Sequence, residues 1–299
     1  MLGPAANGQD RPAAYSTVLI LLGPALLVVL LLFGGGLILG VFQAMGFGSD
    51  PLGPDRGLAQ FRAVIADADF GPSLVLTLTI AGVATLLATA GSIPLALILV
   101  RLGRRGRLAG FLLQIPLTVP HLVIAVASLF LLAPTGLLAR GAASLGLIPA
   151  GQFPLLVNDP GAVAILFVYV WKEIPFITFM LMSVLHNSGA ELDEVGQTLK
   201  ANAWQRFRYI TLPIIMPSLG AAMLIVFAYT FGAFEVPYLL GQTYPMSLPV
   251  WAYRLYSDVD LLARPQGIAV GLLIALIVVF AVVAAHLLLN LARRRGLRP

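Results

Sequence analysis

The chain has 299 residues, of which 59% are hydrophobic and only 10% are charged, and its mean hydropathy is +0.95. A soluble domain carries about 25% charged residues, so most of this chain must face lipid or other buried helices. This balance excludes a soluble enzyme, a nucleic-acid-binding protein and a disordered chain as descriptions of the whole protein. Cysteine is absent, which excludes disulfides, a thiolate nucleophile and a thiolate metal site.

Long intervals without charged residues predict the membrane spans. A helix needs about 20 mostly apolar residues to cross the hydrocarbon core, and lipid offers the backbone no hydrogen-bond partner. The short alternating strands of a membrane barrel do not occur in the sequence. We therefore predict an all-α, polytopic membrane protein with six spanning helices. Their expected positions are 17–42, 72–100, 109–132, 161–185, 213–234 and 267–291.

The basic residues predict the orientation of these spans. Of 18 Lys and Arg residues, twelve fall in the N-terminal segment, the loops after spans two and four, and the C-terminal tail, whereas five fall in the opposite loops. By the positive-inside rule, both termini are expected in the cytoplasm. Residues 1–16 then form a cytoplasmic segment, 17–292 a membrane domain with a cytoplasmic loop at 188–212, and 293–299 a basic tail.

The residues needed for enzyme chemistry do not form a recognisable constellation. The histidines, His121, His186 and His286, lie on different spans or span ends without metal-ligand spacing, so we interpret them as isolated polar residues and predict no metal site. The two lysines, Lys172 and Lys200, are followed by Glu and Ala. The P-loop pattern requires Ser or Thr after its lysine. We therefore expect no catalytic activity and no bound nucleotide in this chain.

Two ionisable residues, Lys172 and Glu173, fall near the middle of the fourth span. Exposing either charge to lipid costs at least about 2.5 kcal/mol, so both side chains are expected to face the helix bundle or a wet cavity. They either line a transport pathway or form structural ion pairs with a neighbouring helix. Glu235, at the outer end of the fifth span, either guides a cation into the pathway or caps the helix end.

Two further patterns predict local structure. Pro120 lies inside the third predicted span, 109–132, where we expect a helix kink. Trp251, Tyr253 and Tyr256 lie close together in the loop before the last span, and we interpret them as part of an interfacial aromatic belt.

The polar segment between spans four and five has the pattern of a short helix, a turn and a second helix. Ser188 with Glu191 predicts a capping box at the start of the first helix, which we place at about 188–199. Acidic residues follow in its first turns, and Lys200 lies near its end, as the helix dipole favours. Asn202 with Gln205 predicts an N-cap for the second helix.

This segment resembles the EAA loop of ABC importer permeases, in which Glu-Ala-Ala, three residues, Gly, nine residues and Ile-x-Leu-Pro follow one another. Glu194, the small residue Gly196, the Ile-Thr-Leu-Pro sequence at 210–213 and both spacings match. Val195 replaces an alanine. Lys200 stands where the family has its glycine, at a turn that only glycine makes cheaply. The sequences at 171–176 and 231–237 look like the polyamine-type branch of these permeases.

The resemblance implies a type I ABC importer permease in the bacterial inner membrane. Its partners would be a second permease subunit, identical or homologous, two ATPase subunits that hold ATP and Mg²⁺, an external solute-binding protein and membrane lipid, but no nucleic acid. The loop would couple the permease to the ATPase. Its coupling residues would be Glu191, Glu194, Gly196, Lys200, Ala201, Trp204 and Phe207.

The expected substrate is a polyamine-like cation, with Lys172, Glu173 and Glu235 on the pathway. Thiamine, phosphonate, sulfate and ferric iron are alternative solutes. A proton- or sodium-driven secondary transporter, with Glu173 and Glu235 as its relay, is a rival of another class, but it leaves the EAA-like loop unexplained. An intramembrane enzyme is a second rival, and the sequence contains no nucleophile or metal constellation for it.

Overall fold

The computed structural model describes residues 11–47, 57–149, 151–186 and 196–294. Within those ranges, all regular elements are helical, as the sequence predicts. The first helices along the chain are α1 (Arg11–Val29), α2 (Gly35–Ala44), α3 (Ala59–Ala66), α4 (Phe70–Leu102), α5 (Arg107–Thr118), α6 (His121–Leu132) and α7 (Leu137–Ser144). They are followed by α8 (Val163–Val184), α9 (described over 196–198), α10 (Ala203–Arg206), α11 (Leu212–Gly232), α12 (Glu235–Leu240), α13 (Leu248–Tyr256) and α14 (Arg264–Arg294).

Six helical stretches of the described chain are long and apolar enough to span a membrane, which confirms the predicted number. One-turn π-helices join α1 to α2 and α10 to α11, so each of these pairs forms one continuous stretch. The six stretches are Ile20–Ala44, Phe70–Leu102, His121–Ser144, Val163–Val184, Ala203–Gly232 and Leu261–Leu287.

The third span differs from its prediction. One helix over 109–132 was expected, but α5 and α6 are separated by Val119 and Pro120, whose backbones are extended, with ψ of 129° and 144°. A residue before proline avoids the helical region, and proline itself has no N–H to continue the helix. The span is therefore broken at this point, and its apolar stretch continues past α6 to Ser144.

Helix α8 lies at the centre of the bundle, where it packs against α4, α5, α6 and α11. Half of its most apolar stretch is buried, whereas none of the first span's is. Small residues allow a close approach to α4: a Cβ on Gly91 would lie 2.9 Å from Cδ1 of Ile174. The neighbouring Ser92 hydroxyl donates to the Ile174 carbonyl at 3.0 Å. Such small-residue contacts are typical of membrane helix packing.

The aromatic residues of the last long loop divide into two groups. Trp251 is buried in a core cluster, with its ring 6.5 Å from that of Phe70, so the prediction of a belt position is wrong for this residue. Tyr253 and Tyr256 are about half exposed, as an interfacial position requires.

Candidate translocation site and coupling loop

Lys172 and Glu173 lie in the middle of α8 and are both buried, with 6% and 8% of their surfaces exposed. The prediction that these side chains face the bundle is therefore confirmed. Residues adjacent in a helix point about 100° apart, and among the described side chains no ion pair joins these two. Each of them contacts a different side of the break in the third span.

The Lys172 ammonium donates a hydrogen bond to the carbonyl of Val119, at the end of α5. The last carbonyls of a helix lack N–H partners, and no water is available in hydrocarbon to satisfy them. The Thr118 hydroxyl satisfies another of these carbonyls, that of Ile115, at 2.9 Å. The end of α5 also carries partial negative charge, which favours a cation. Lys172 thus caps the first half of the broken span.

Glu173 faces the second half of the broken span. Its Oε1 lies 3.7 Å from Nε2 of His121, the first residue of α6. The other ring nitrogen of His121, Nδ1, is 3.0 Å from the hydroxyl of Tyr229 in α11. His121 is therefore not the isolated polar residue that its sequence position suggested: it joins three helices through polar contacts.

Tyr169, one turn before Glu173 on α8, completes this polar cluster. Its side chain is fully buried, and its ring lies 6.3 Å from the ring of His121. Neither the Tyr169 hydroxyl nor Nε2 of His121 has a hydrogen-bond partner among the described residues. Tyr169 and Tyr229 are functional candidates that sequence reasoning missed, because 108 residues separate Tyr229 from His121 and no local spacing links them. The dipeptide Pro120-His121 inside an apolar span was the one available signal.

Glu235 begins α12 and is exposed. Among the described side chains, no hydrogen bond or ion pair joins it to Lys172 or Glu173. Its carboxylate lies close enough to Tyr229 to act on it electrostatically, as does that of Glu173. The preceding Phe234 stacks with Tyr238 and Tyr253, at ring separations of 5.0 and 4.4 Å. Carboxylates and aromatic faces both attract cations.

The coupling loop is described only from Gly196 onward, so Glu191 and Glu194 lie outside the described residues. Helix α9 ends in a left-handed turn at Lys200, whose φ is +56°. The N–H of Lys200 donates to the Gln197 carbonyl (2.9 Å), and the N–H of Ala201 donates to the Gly196 carbonyl (3.1 Å). These two bonds define a Schellman motif, in which the left-handed residue is usually glycine. Lys200 therefore holds the conformation that the family's glycine would hold.

Gly196 lies against the next helix. A Cβ at this position would be 2.7 Å from Cδ1 of Ile210 and 3.2 Å from Cγ of Arg206. Contacts below 3.0 Å force a shift of the neighbouring atoms. The small residue that the resemblance highlighted is therefore required by packing between α9 and the π-helical turn Phe207–Thr211.

The turn is followed by the predicted N-cap. Asn202 accepts from the N–H of Gln205 (2.8 Å), whose side chain accepts from the N–H of Asn202 (2.9 Å). Three large side chains are more than two-thirds exposed here, and we name them the coupling surface: Leu199, Trp204 and Tyr209. Phe207 is half-buried, with its ring 5.7 Å from that of Trp204. Leu199 and Tyr209 were not among the predicted coupling residues.

The family of binding-protein-dependent transport system inner membrane components matches residues 88–295, well over half of the chain. The chain belongs to this family. The match includes the broken third span, α8, the coupling loop and the last two spans. As a member with six apolar helices, the chain is a multi-pass protein of the inner membrane.

Individual relatives carry several names. The inner membrane ABC transporter permease protein YcjO of Escherichia coli is 32% identical over 134 residues, which cover 44% of each chain, so the match spans less than half of that relative. The molybdenum transport system permease protein ModB of Azotobacter vinelandii is 27% identical over 71% of this chain and 92% of its own. A bacterial alginate ABC transporter, in complex with an alginate pentasaccharide-bound periplasmic protein, has a chain of the same fold. Its TM-score is 0.76 at 19% identity, over 96% of this chain and 98% of that one.

Proposed function

We propose that this chain is the permease subunit of an ABC importer and forms a translocation pathway for a small solute. The observation that carries the proposal is a buried polar cluster in the helix bundle of a family member that also presents an exposed apolar surface on its predicted cytoplasmic loop. Ionisable groups within a membrane bundle commonly mark transport pathways. Neither lysine stands in a P-loop, so we assign ATP and Mg²⁺ to a partner subunit.

The coupling surface is the proposed contact with the ATPase. Leu199, Trp204 and Tyr209 expose apolar area just before and within the first turns of the fifth apolar stretch, and aromatic side chains often dominate the energy of an interface. Glu194 is the acidic anchor that the resemblance to the EAA loop suggests. Two ATPases, a second permease and an external binding protein complete the proposed transporter. The complex of the related alginate transporter with its periplasmic protein supports the last of these partners.

A small organic cation of the polyamine type is the proposed substrate. Glu173 provides a carboxylate inside the bundle, and Glu235 provides an exposed one at the start of α12. Lys172, the cation of the cluster, bonds to the Val119 carbonyl instead of to these acids. The negative charge of the pair is therefore available to attract a cation.

An oxyanion is the second candidate substrate. ModB is named for molybdenum transport and aligns over 71% of this chain, and the alginate transporter imports an acidic polysaccharide. On this alternative, Lys172 would bind the anion and Glu173 would oppose it. The two candidates therefore predict opposite responses to removal of the Glu173 charge.

Uptake by the whole transporter tests these proposals. The chain would be purified with its native partners and reconstituted into proteoliposomes, and import of radiolabelled putrescine and molybdate would be measured with and without ATP. We expect ATP-dependent import of putrescine and none of molybdate. Import of molybdate alone would overturn the proposed substrate. Uptake that follows a proton or sodium gradient without the ATPase would overturn the importer itself.

A further inference from the structure

Three polar side chains lie beside the break in the third span, and two of them carry an atom without a hydrogen-bond partner among the described residues. Glu173 Oε1 lies 3.7 Å from Nε2 of His121, and the ring of the fully buried Tyr169 lies 6.3 Å from the imidazole. Neither His121 Nε2 nor Tyr169 Oη has a hydrogen-bond partner among the residues that the structure describes. Because an unpaired buried polar atom destabilises a fold, retention of two such atoms on neighbouring side chains indicates another use for them.

The distances around His121 fit the tautomer in which Nε2 is an acceptor. An N–H at this position would face the Glu173 carboxylate, and such charge-assisted bonds close to about 2.7–2.9 Å. The observed separation is 3.7 Å. The Nδ1 atom lies 3.0 Å from the Tyr229 hydroxyl, a contact that either tautomer can make. In the tautomer with the proton on Nδ1, this nitrogen donates to Tyr229, and Nε2 presents its lone pair beside the carboxylate.

We propose that Glu173, His121 and Tyr169 form a binding site for a primary ammonium group. This inference rests on the proposed import of a cation and names the part of the substrate that is bound. An ammonium has three N–H donors and no acceptor, and each of these three side chains carries an oxygen or nitrogen that can accept one of them. The Glu173 carboxylate supplies the opposite charge.

The surroundings of the site fit a cation. Lys172 is adjacent in sequence, but it points about 100° away from Glu173 along the helix and bonds to Val119. Tyr229 is 45% exposed and marks the open side of the cluster. The exposed Glu235 lies near Tyr229 and draws cations toward this side.

Removal of the unpaired Tyr169 hydroxyl should weaken substrate binding without lowering the stability of the fold. In the reconstituted transporter, Tyr169→Phe should raise the KM for putrescine about tenfold, since one hydrogen bond to a charged group is lost. The thermal transition should stay the same or rise, because the hydroxyl has no partner in the fold. Tyr256→Phe is the matched control, since Tyr256 is half-exposed and lies on α13, outside the site, and it should change neither quantity. A fall in stability with an unchanged KM would overturn the site.

Methylated substrate tests the hydrogen bonds themselves. Fully N-methylated putrescine keeps both charges but has no N–H donor. For the wild-type transporter, its inhibition constant against putrescine uptake should be about 100-fold higher than that of unlabelled putrescine. In His121→Leu, the ratio of the two inhibition constants should fall about tenfold. His121→Leu also tests the site if the transporter with Tyr169→Phe does not assemble. Equal inhibition by both compounds would overturn the site while leaving the importer and its cationic substrate intact. A wild-type transporter that imports only an anion would overturn the substrate and the site together.

Discussion

The two lysines of the chain each complete the end of a helix, and they do so in different ways. At the end of α5, inside the membrane, the Lys172 side chain reaches from α8 to the Val119 carbonyl. At the end of α9, on the predicted cytoplasmic loop, Lys200 closes the helix with its backbone in a left-handed turn, and its side chain is exposed. A helix end in hydrocarbon needs a partner from the protein, whereas one beside water can use its own turn.

The two regions should also differ in how far the effect of a substitution spreads. The break in the third span depends on contacts between α5, α6 and α8, so a change of one side chain there affects several helices. The turn at Lys200 depends on local backbone geometry, so substitutions should have smaller and more local effects.

The largest loss of stability is expected for Lys172→Met, which leaves the Val119 carbonyl without its donor. An unpaired buried acceptor costs about 1–3 kcal/mol, so the thermal transition of the purified transporter should fall by several degrees. Lys172→Gln keeps a donor without the charge and should recover part of the loss. Ser92→Ala, which removes another hydrogen bond between spans, is the control. It should lower the free energy of unfolding by about 1 kcal/mol. Equal stability of the Met variant and the wild type would contradict the capping role.

In the loop that follows the turn at Lys200, Trp204→Ala should weaken ATPase binding by about 30-fold, because a buried interface aromatic contributes about 2 kcal/mol or more to binding. In Glu194→Ala, ATP hydrolysis should no longer drive substrate uptake. Both effects are measured by association of the purified subunits and by substrate-stimulated ATP hydrolysis. Tyr256→Ala, an exposed aromatic far along the chain, serves as the control. Normal coupling in Glu194→Ala would mean that the anchor lies elsewhere in the loop.

Gly196→Ala should lower the free energy of unfolding by about 1–3 kcal/mol through overpacking, because the added Cβ would collide with Cδ1 of Ile210. The change Ile210→Val deletes that atom. The double variant should therefore be more stable than Gly196→Ala alone, in a thermal unfolding measurement on the same complex. Additive losses in the double variant would show that the contact does not limit packing.

Lys200→Gly should stabilise the loop by up to about 1 kcal/mol, since glycine adopts a left-handed conformation more easily than lysine. Hydrogen exchange of the loop amides in the assembled transporter measures the change. Lys200→Ala, which keeps a Cβ, should show no gain. Destabilisation by glycine would mean that the loop is helical through this position.

The smallest effect is expected for Glu235→Gln, because this carboxylate is exposed and attracts a cation only at a distance. Transport of a cationic substrate should slow about threefold at low salt, and the difference should disappear as added salt screens the charge. Assembly and ATPase docking should not change. Identical rates at every salt concentration would remove Glu235 from the pathway.

The sequence by itself determined those features that depend on local composition or on the cost of exposure to lipid. Apolar length predicted six spans, because hydrocarbon admits only long apolar helices. The charges of Lys172 and Glu173 predicted their burial in the bundle. Asn202 with Gln205 predicted an N-cap, because capping uses residues only three positions apart.

The tertiary structure alone decided how distant residues meet. Pro120 indicated a distortion of the third span, but whether the helix kinks or breaks depends on whether another helix can cap the free carbonyls, and here Lys172 caps one of them. His121 looked isolated because its partners, Glu173 and Tyr229, lie on other helices. Trp251 matched an interfacial pattern in sequence, yet packing against Phe70 buried it. Local patterns set each helix, whereas contacts between helices depend on their relative positions, which no local spacing records.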